Sequence, residues 1–359
     1  MWFIQRAHVE LVLRSGFPSR NVAFGSWPFP DLSSPDSVAE IPYCDNITIV
    51  GRDPARVEQA RNQVLSTFEA AGFSMHEISG VDTTAEVLGA DLGGDPPVAS
   101  RYRRKLWLLR QSLAWLASGP VVTGQQIEVI IGHYVAACMY NGAGLAVMRA
   151  LYSFVADRYL VPTRLWHSCR YEAWIMASVS MLLSSDLCAP WSPRVFATDA
   201  SSEGFGVCAA TVAPELVKEI GAWQEKWRFR RLLPSEWGHR ARALGDLDEV
   251  TDPRAVDPGA GMELGRWRLR EGFPEIPPAI LDPSRWKVAL AGQFRFDDSI
   301  SVKEALAAVL AIRLAAKFPE ARGKRHLVLV DNFGVVCALA RGRAPTFGLS
   351  QACRRTSAL

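Results

Sequence analysis

Three acidic residues, each placed where an apolar element begins or ends, constrain this chain more than any other feature. The run Val195-Phe196-Ala197-Thr198-Asp199 has strand character, Ala200-Ser201-Ser202-Glu203-Gly204 turns it, and Phe205-Gly206-Val207 returns. Ser301 to Lys317 is rich in alanine with an apolar face at helical spacing, and Glu304 stands in its first turn. His326 to Val330 is an apolar strand that ends on Asp331. Two strand ends and one helix start can converge on a point, and three carboxylates there make a hard-oxygen site suited to Mg²⁺ or Mn²⁺. Two such ions, about 3.5–4 Å apart, can activate a water and stabilise the departing oxygen of a phosphodiester. Each acid also has an ordinary structural use. Asp199 can cap its own turn, Glu304 can complement a helix dipole, and Asp331 can be a turn residue.

Composition sets the frame for that chemistry. The 359 residues are 49% hydrophobic and 21% charged, which is enough for a core in each of two or three domains. Seven cysteines are scattered without a CxxC pair, which argues against a zinc knuckle or a disulfide framework and for a reducing compartment. No run approaches the roughly 18 apolar residues of a membrane span. Met1-Trp2-Phe3-Ile4-Gln5-Arg6 is too soon charged for a secretory signal, so we expect an intracellular location, cytoplasmic or nuclear. The same residues read as the middle of a buried helix, with the expectation that the chain starts inside a domain. Six dispersed histidines show no metal-ligand spacing.

Net charge is only +3, but the cations are unevenly placed. Arg101-Tyr102-Arg103-Arg104-Lys105 and Lys226-Trp227-Arg228-Phe229-Arg230-Arg231 interleave them with aromatics, a pattern that suits phosphate contact and base stacking as well as a solvated helix face. Twelve tryptophans are present, and Trp223, Trp227, Trp237, Trp267 and Trp286 fall between residues 214 and 286. Core or interface packing is their ordinary use.

Along the chain, residues 1–16 have helical spacing, and Ile41 to Gly51 reads as two strands around Asp45-Asn46. Asp53 to Gly72 is a helix with Asp53 as its cap and Pro54 in its first turn. Glu86 to Leu92 reads as a short strand, Arg101 to Leu160 as largely helical, and Tyr171 to Leu187 as a further helix. Residues 214–286, rich in Pro, Gly, Arg and Trp, lack periodicity and read as an insertion. Val335 to Ala340 and Leu349 to Leu359 begin helices.

The strings TDASSEGFG, SVKEALAAVLAIRLA and VLVDNFGVVCALARG, in this order, resemble the ribonuclease H domain of reverse-transcribing elements. The resemblance implies that Asp199, Glu304 and Asp331 are the first three metal-binding carboxylates of a nuclease. Upstream, Tyr43-Cys44-Asp45-Asn46 resembles the tyrosine–x–aspartate–aspartate hairpin of reverse transcriptase palms, with Asp45 as the metal-binding aspartate. VTGQQIEVIIGHYVAACMY resembles a thumb or connection helix of the same enzymes, and YEAWIMASVSMLL before PWSPRVFATDAS resembles the lead-in to their nuclease domain.

The expected fold class is α/β. An α+β palm remnant would span residues 1–98 and a helical thumb or connection residues 99–190. A ribonuclease H-like mixed five-stranded sheet would span residues 191–359, incomplete at its C-terminal end. The implied protein is a fragment of a retroelement RNA-directed DNA polymerase with a ribonuclease H domain. It would bind RNA–DNA hybrid or other nucleic acid, partly through Arg101, Arg103, Arg104 and Lys105, and its partners would include the missing polyprotein segments.

The sequence departs from that family in four places. Asn46 stands where a second aspartate is usual. The interval between Asp199 and Glu304 is long. A partner palm aspartate would precede residue 1, and a fourth nuclease acid would follow Leu359. Impaired Mg²⁺-dependent hydrolysis of the RNA strand is therefore expected, with a non-catalytic nucleic-acid- or protein-binding remnant as the alternative. A lesser alternative is the phosphate hairpin of actin-like and sugar-kinase folds, which Asp-Ala-Ser-x-x-Gly-x-Gly also resembles. That reading requires a second such hairpin and an adenosine-binding stretch, and the sequence contains neither.

Overall fold

Alternation and helical spacing become, in the computed structural model, an α/β protein of two compact units, Met1–Val87 and Leu88–Leu359. The structure describes residues 2–23, 28–32, 34, 36–43, 46–231 and 267–359. Among these, no helix is long and apolar enough to cross a membrane.

In the first unit, helix α1 (Trp2–Arg14) precedes an antiparallel hairpin, β1 (Val38–Tyr43) and β2 (Asn46–Gly51), and helix α2 (Pro54–Ala70) follows. Asp53 accepts the Ala55 N–H at 2.9 Å and caps α2, with Pro54 at the first position as its fixed φ favours. Val57, Ala60, Val64 and Phe68, one stripe of α2, are buried, and most join Leu11, Val12 and Val38 in the core. Strand β3 (Thr84–Val87) closes the unit.

The second unit opens with β4 (Ala90–Gly93), β5 (Val98–Arg101) and helix α3 (Arg103–Ala117). Strand β6 (Val121–Val122) and helices α4 (Gly124–Cys138) and α5 (Arg149–Asp157) follow, with a 3-10 segment, Gly142–Val147, between the helices. Then come β7 (Thr163–Arg164), α6 (His167–Val179) and β8 (Ser184–Asp186). Thr123 and Gln126 exchange hydrogen bonds as a capping box and fix the start of α4. Gly124 admits the α5 backbone, since a Cβ there would lie 2.7 Å from the Val155 carbonyl. Leu113, Ile127, Tyr134, Leu151, Phe154 and Met176 fill the core of this bundle. Strand β8 pairs with β5, so the helix expected through Leu187 ends earlier.

The remaining elements are β9 (Arg194–Ala200), β10 (Gly204–Thr211), α7 (Pro214–Gly221), β11 (Phe229–Arg231), β12 (Trp267–Leu269), α8 (Pro278–Leu281) and β13 (Lys287–Gln293). They are followed by α9 (Ile300–Ala316), β14 (Val328–Val330), α10 (Phe333–Arg341) and α11 (Phe347–Ser357). Among the described residues the main sheet has four strands in the order β13-β10-β9-β14, the expectation having been a five-stranded sheet lacking its last strand. The first three are antiparallel and β14 is parallel to β9. Alanines 311 and 315 let α9 lie close on Phe196 and Val207 on one face of the sheet. On the other face, Val217 of α7 and Ile280 of α8 pack with Val195 and Ala210. The expected insertion thus contributes ordered elements to the core on both sides of its undescribed middle.

Helix α11 joins the sheet to the bundle. Ala352 packs with Ala305 and Val309 of α9, while Arg354 donates to the Ala146 carbonyl at 2.9 Å and to the Glu172 carboxylate at 2.5 Å. Glu172 is buried in α6, and its other oxygen accepts the Leu151 N–H at 3.0 Å. Replacing Glu172 with Gln leaves the guanidinium without its counter-charge. The expected loss is about 2–3 kcal/mol of stability, read as a lower urea midpoint at unchanged slope.

Glu40 on β1 is 0% exposed, and neither carboxylate oxygen has a hydrogen-bond partner among the described residues. Loss of hydration pushes its carboxyl up to about 8 from an ordinary 4.5. Between these values the folded unit holds a proton that the unfolded chain has released. Stability is therefore highest below the lower value and falls as pH rises toward the upper one. Glu40→Gln is expected to flatten that decline, by on the order of several kcal/mol between the ends of the window, in urea titrations run at each pH.

Candidate active site at the carboxyl ends of the sheet

Because β9 and β14 are parallel, their carboxyl ends point the same way. Val330 pairs with Thr198, so Asp331 and Asp199, each the next residue, stand side by side at the sheet edge. Both are exposed. Asp199 is held by its own turn, where its carboxylate accepts the Ala200 N–H at 2.8 Å. Strand alternation decides which face it uses. Phe196 packs against α9 and Thr198 is buried, whereas Asp199 lines an open cleft of about 800 Å³ with Ala197, Gly206, Cys208 and Ala291. Gly206 is the register partner of Asp199 on β10, and no described residue lies within 4 Å of where its Cβ would be.

Glu304 reaches the same edge from a different direction. It lies in the first turn of α9, on the face of the sheet opposite the cleft, and is 8% exposed. That turn is bound to both strand ends. Lys303 Nζ donates to the Ser202 carbonyl at 2.7 Å, in the turn that follows Asp199. Asn332, the residue after Asp331, donates from Nδ2 to Ser301 Oγ at 3.3 Å. The elements carrying the three acids are thus tied together, two carboxylates as register neighbours and the third across the edge. Their oxygens suit a hard divalent cation by chemistry. By position, no three His, Cys, Asp or Glu among the described residues are near enough together to hold one.

In the hairpin of the first unit Tyr43 pairs with Asn46, so Asn46, expected at the tip beside Asp45, is instead the first residue of β2. Asp45 itself lies outside the described residues.

The two cation–aromatic runs differ in use. Arg103, Arg104 and Lys105 are exposed at the start of α3, with Lys105 over the Tyr102 ring at 5.3 Å and Arg110 over Trp107 at 5.4 Å. Arg101 lies 3.4 Å from His133 Nδ1. In the second run, Arg228 is committed internally. It pairs with Glu225 at 2.6 Å and Glu275 at 2.7 Å and covers the Phe273 ring at 4.6 Å. Phe229 meets Phe333, two residues past Asp331, edge to face at 5.6 Å.

Sequence reasoning passed over Lys303, Ser301 and Asn332. The signal was available, because Lys303 and Glu304 are the only charged residues between Ile300 and Ile312. Charges inside so apolar a segment need partners.

Comparison with protein-family models and with curated proteins finds no match to this chain.

Ser201 holds the turn beside Asp199, its Oγ accepting the N–H groups of Glu203 at 3.2 Å and Gly204 at 3.1 Å. Ser201→Ala is expected to cost about 1 kcal/mol in urea denaturation, with faster amide exchange confined to this turn.

Proposed function

We propose that this chain is a fragment of a retroelement reverse transcriptase whose second unit carries a ribonuclease H-like domain. Its function would be to bind RNA–DNA hybrid and hydrolyse the RNA strand with Mg²⁺ or Mn²⁺. The observation that carries the reading is the sheet: three antiparallel strands, a helix, then a strand parallel to the first, with Asp199 and Asp331 adjacent at the shared carboxyl end. The three motif strings fall on that strand–turn–strand, that helix and that last strand in the order the resemblance requires.

Asp199, Glu304 and Asp331 are the residues to hold the cation. When bound, it would polarise a water for attack on phosphorus and offset charge on the leaving 3′-oxygen. The cleft on the Asp199 face leaves room for a strand to lie across β9 and β10, where small side chains let a backbone come close. Arg101, Arg103, Arg104 and Lys105, interleaved with Tyr102 and Trp107, suit the phosphates of the same duplex. The first unit reads as the end of a polymerase palm and the helices after β5 as its thumb or connection. Asp45 would be the polymerase-type carboxylate of its hairpin.

A second reading, a non-catalytic nucleic-acid-binding remnant, is favoured by the separation of Glu304 from the other two acids across the sheet. The two readings diverge on a labelled RNA–DNA hybrid in Mg²⁺ or Mn²⁺. Hydrolysis predicts RNA fragments with 5′-phosphate ends that disappear in Asp199→Asn. An intact hybrid with folded wild-type protein removes the nuclease reading, and hybrid retention unaffected by Asp199→Asn then supports the binder.

A further inference from the structure

At the far end of β9 from Asp199, a cavity of about 170 Å³ lies between the start of β9, the residues that follow α9 and the approach to β14. Arg194 and Asp199 stand at opposite ends of that strand, roughly 17 Å apart at the rise of an extended chain, so this cavity is separate from the cleft beside the acids. Its wall carries Arg194, Lys324 and His326, and a single acid, Glu320. Alternation brings two of the cationic side chains there. Lys324 and His326 line the cavity, while Arg325 between them turns away and donates to the carbonyls of Asp186 at 3.2 Å and Leu187 at 3.4 Å. Arg194 lies over the Phe318 ring, 4.4 Å from its centroid, and Phe318 lines the same cavity. Backbone bonds fix the wall: the Ser192 N–H donates to the Arg325 carbonyl at 2.9 Å, and the Val212 N–H to that of Pro193 at 2.8 Å.

The three cationic side chains lack a counter-charge. Among the described residues Arg194, Lys324 and His326 form no ion pair, and Glu320 in the same wall pairs with none of them. His326 also has a nitrogen to spare. Its Nε2 meets the Ala321 carbonyl at 2.9 Å, and a carbonyl only accepts, so Nε2 carries a proton. Nδ1 is left buried with no hydrogen-bond partner among the described residues, which is rare for a polar atom in a folded protein.

We propose that this cavity is an anion site that takes a phosphate group. Phosphate has three oxygens to offer Arg194, Lys324 and His326, where a carboxylate has two. Nδ1 can accept from a P–OH group or, once protonated, donate to a phosphate oxygen, so the orphaned nitrogen is satisfied in either form. Volume limits what enters. The cavity is smaller than the roughly 300 Å³ at which pockets begin to enclose drug-sized ligands, so it holds the phosphate and leaves outside whatever the phosphate is attached to. The occupant is free phosphate or one phosphate of a larger ligand, and the site stands apart from the reading of Asp199, Glu304 and Asp331.

The test is calorimetric titration of the full chain with inorganic phosphate at constant ionic strength, with acetate as the carboxylate comparison. Saturable binding of phosphate is expected, and none of acetate over the same range. Lys324→Met and Arg194→Gln each remove one charged donor from the wall and are expected to weaken phosphate binding about tenfold or more. Arg194 is exposed and Lys324 half-buried, so neither change opens the core. Lys317→Gln removes the same charge from an exposed position outside the wall and is expected to leave binding within about twofold. Glu320→Gln removes the acid and is expected to tighten binding about two- to fivefold. No saturation by phosphate, equal binding of acetate, or equal losses in Lys317→Gln and Lys324→Met overturns the site. Competition then separates the two sources, and either result keeps the site. Displacement of phosphate by an oligonucleotide without terminal phosphates identifies a backbone phosphodiester as the occupant. Displacement only by a 5′-phosphorylated strand or a phosphate monoester identifies a terminal or free phosphate.

Discussion

Glu172 is the point on which the second unit turns. A carboxylate in the middle of a helical core is tolerable only when its oxygens are occupied, and here one accepts the Leu151 N–H of α5 and the other takes Arg354. The consequence spreads in two directions. Within the bundle it sets α5 against α6. Beyond it, the guanidinium brings α11 onto the 3-10 segment Gly142–Val147, where Ser357 also donates to the Ala143 carbonyl at 2.9 Å. Helix α11 in turn packs on α9, the helix that covers the sheet. Bundle and sheet therefore share one polar anchor surrounded by alanine and cysteine side chains, with Cys353 buried beside Ala146 and Ala338.

The sheet edge owes its chemistry to strand polarity. An antiparallel neighbour beside β9 would bring an amino end to Asp199, but parallel β14 brings a carboxyl end and a second acid. The helix between β13 and β14 crosses the sheet on the only face where its alanine stripe finds Phe196 and Val207. Its head then falls at the same edge. The opposite face is covered by α7 and α8 near the start of β9, and among the described residues the end near Asp199 is left open. Access and donor placement thus follow from the same few packing choices.

Much of this was legible. The Asp199 turn, the alanine helix and the strand ending at Asp331 carry strong local signals: alternation, tight-turn residues and helical spacing. The α2 cap and the capping box of α4 are written in Asp53-Pro54 and Thr123-Gly124-Gln125-Gln126. Strand β13 was not found, because Lys287-Val288-Ala289-Leu290-Ala291-Gly292-Gln293 is an edge strand with every residue exposed, and burial cannot impose a pattern on it. Strand β8 was read as helix because a three-residue strand after a 3-10 turn has no period of its own; β5 makes it a strand. The interleaved run at Lys226–Arg231 looked like a surface for phosphate, yet acids distant in sequence or within its own turn claim Arg228. Which face of the sheet each acid uses was also beyond reach, since that depends on where α9 lands.

The anchor at Arg354 has a consequence for how the protein is made. Its partners in the bundle, Glu172 and Ala146, leave the ribosome long before it does, and the helices around them must wait with a buried-type carboxylate still hydrated. Their native closure is postponed until α11, which carries Arg354 182 residues after Glu172, has emerged. Contacts of such long sequence separation slow folding and lengthen the time for which apolar surface is open. The bundle is early in sequence and late in completion.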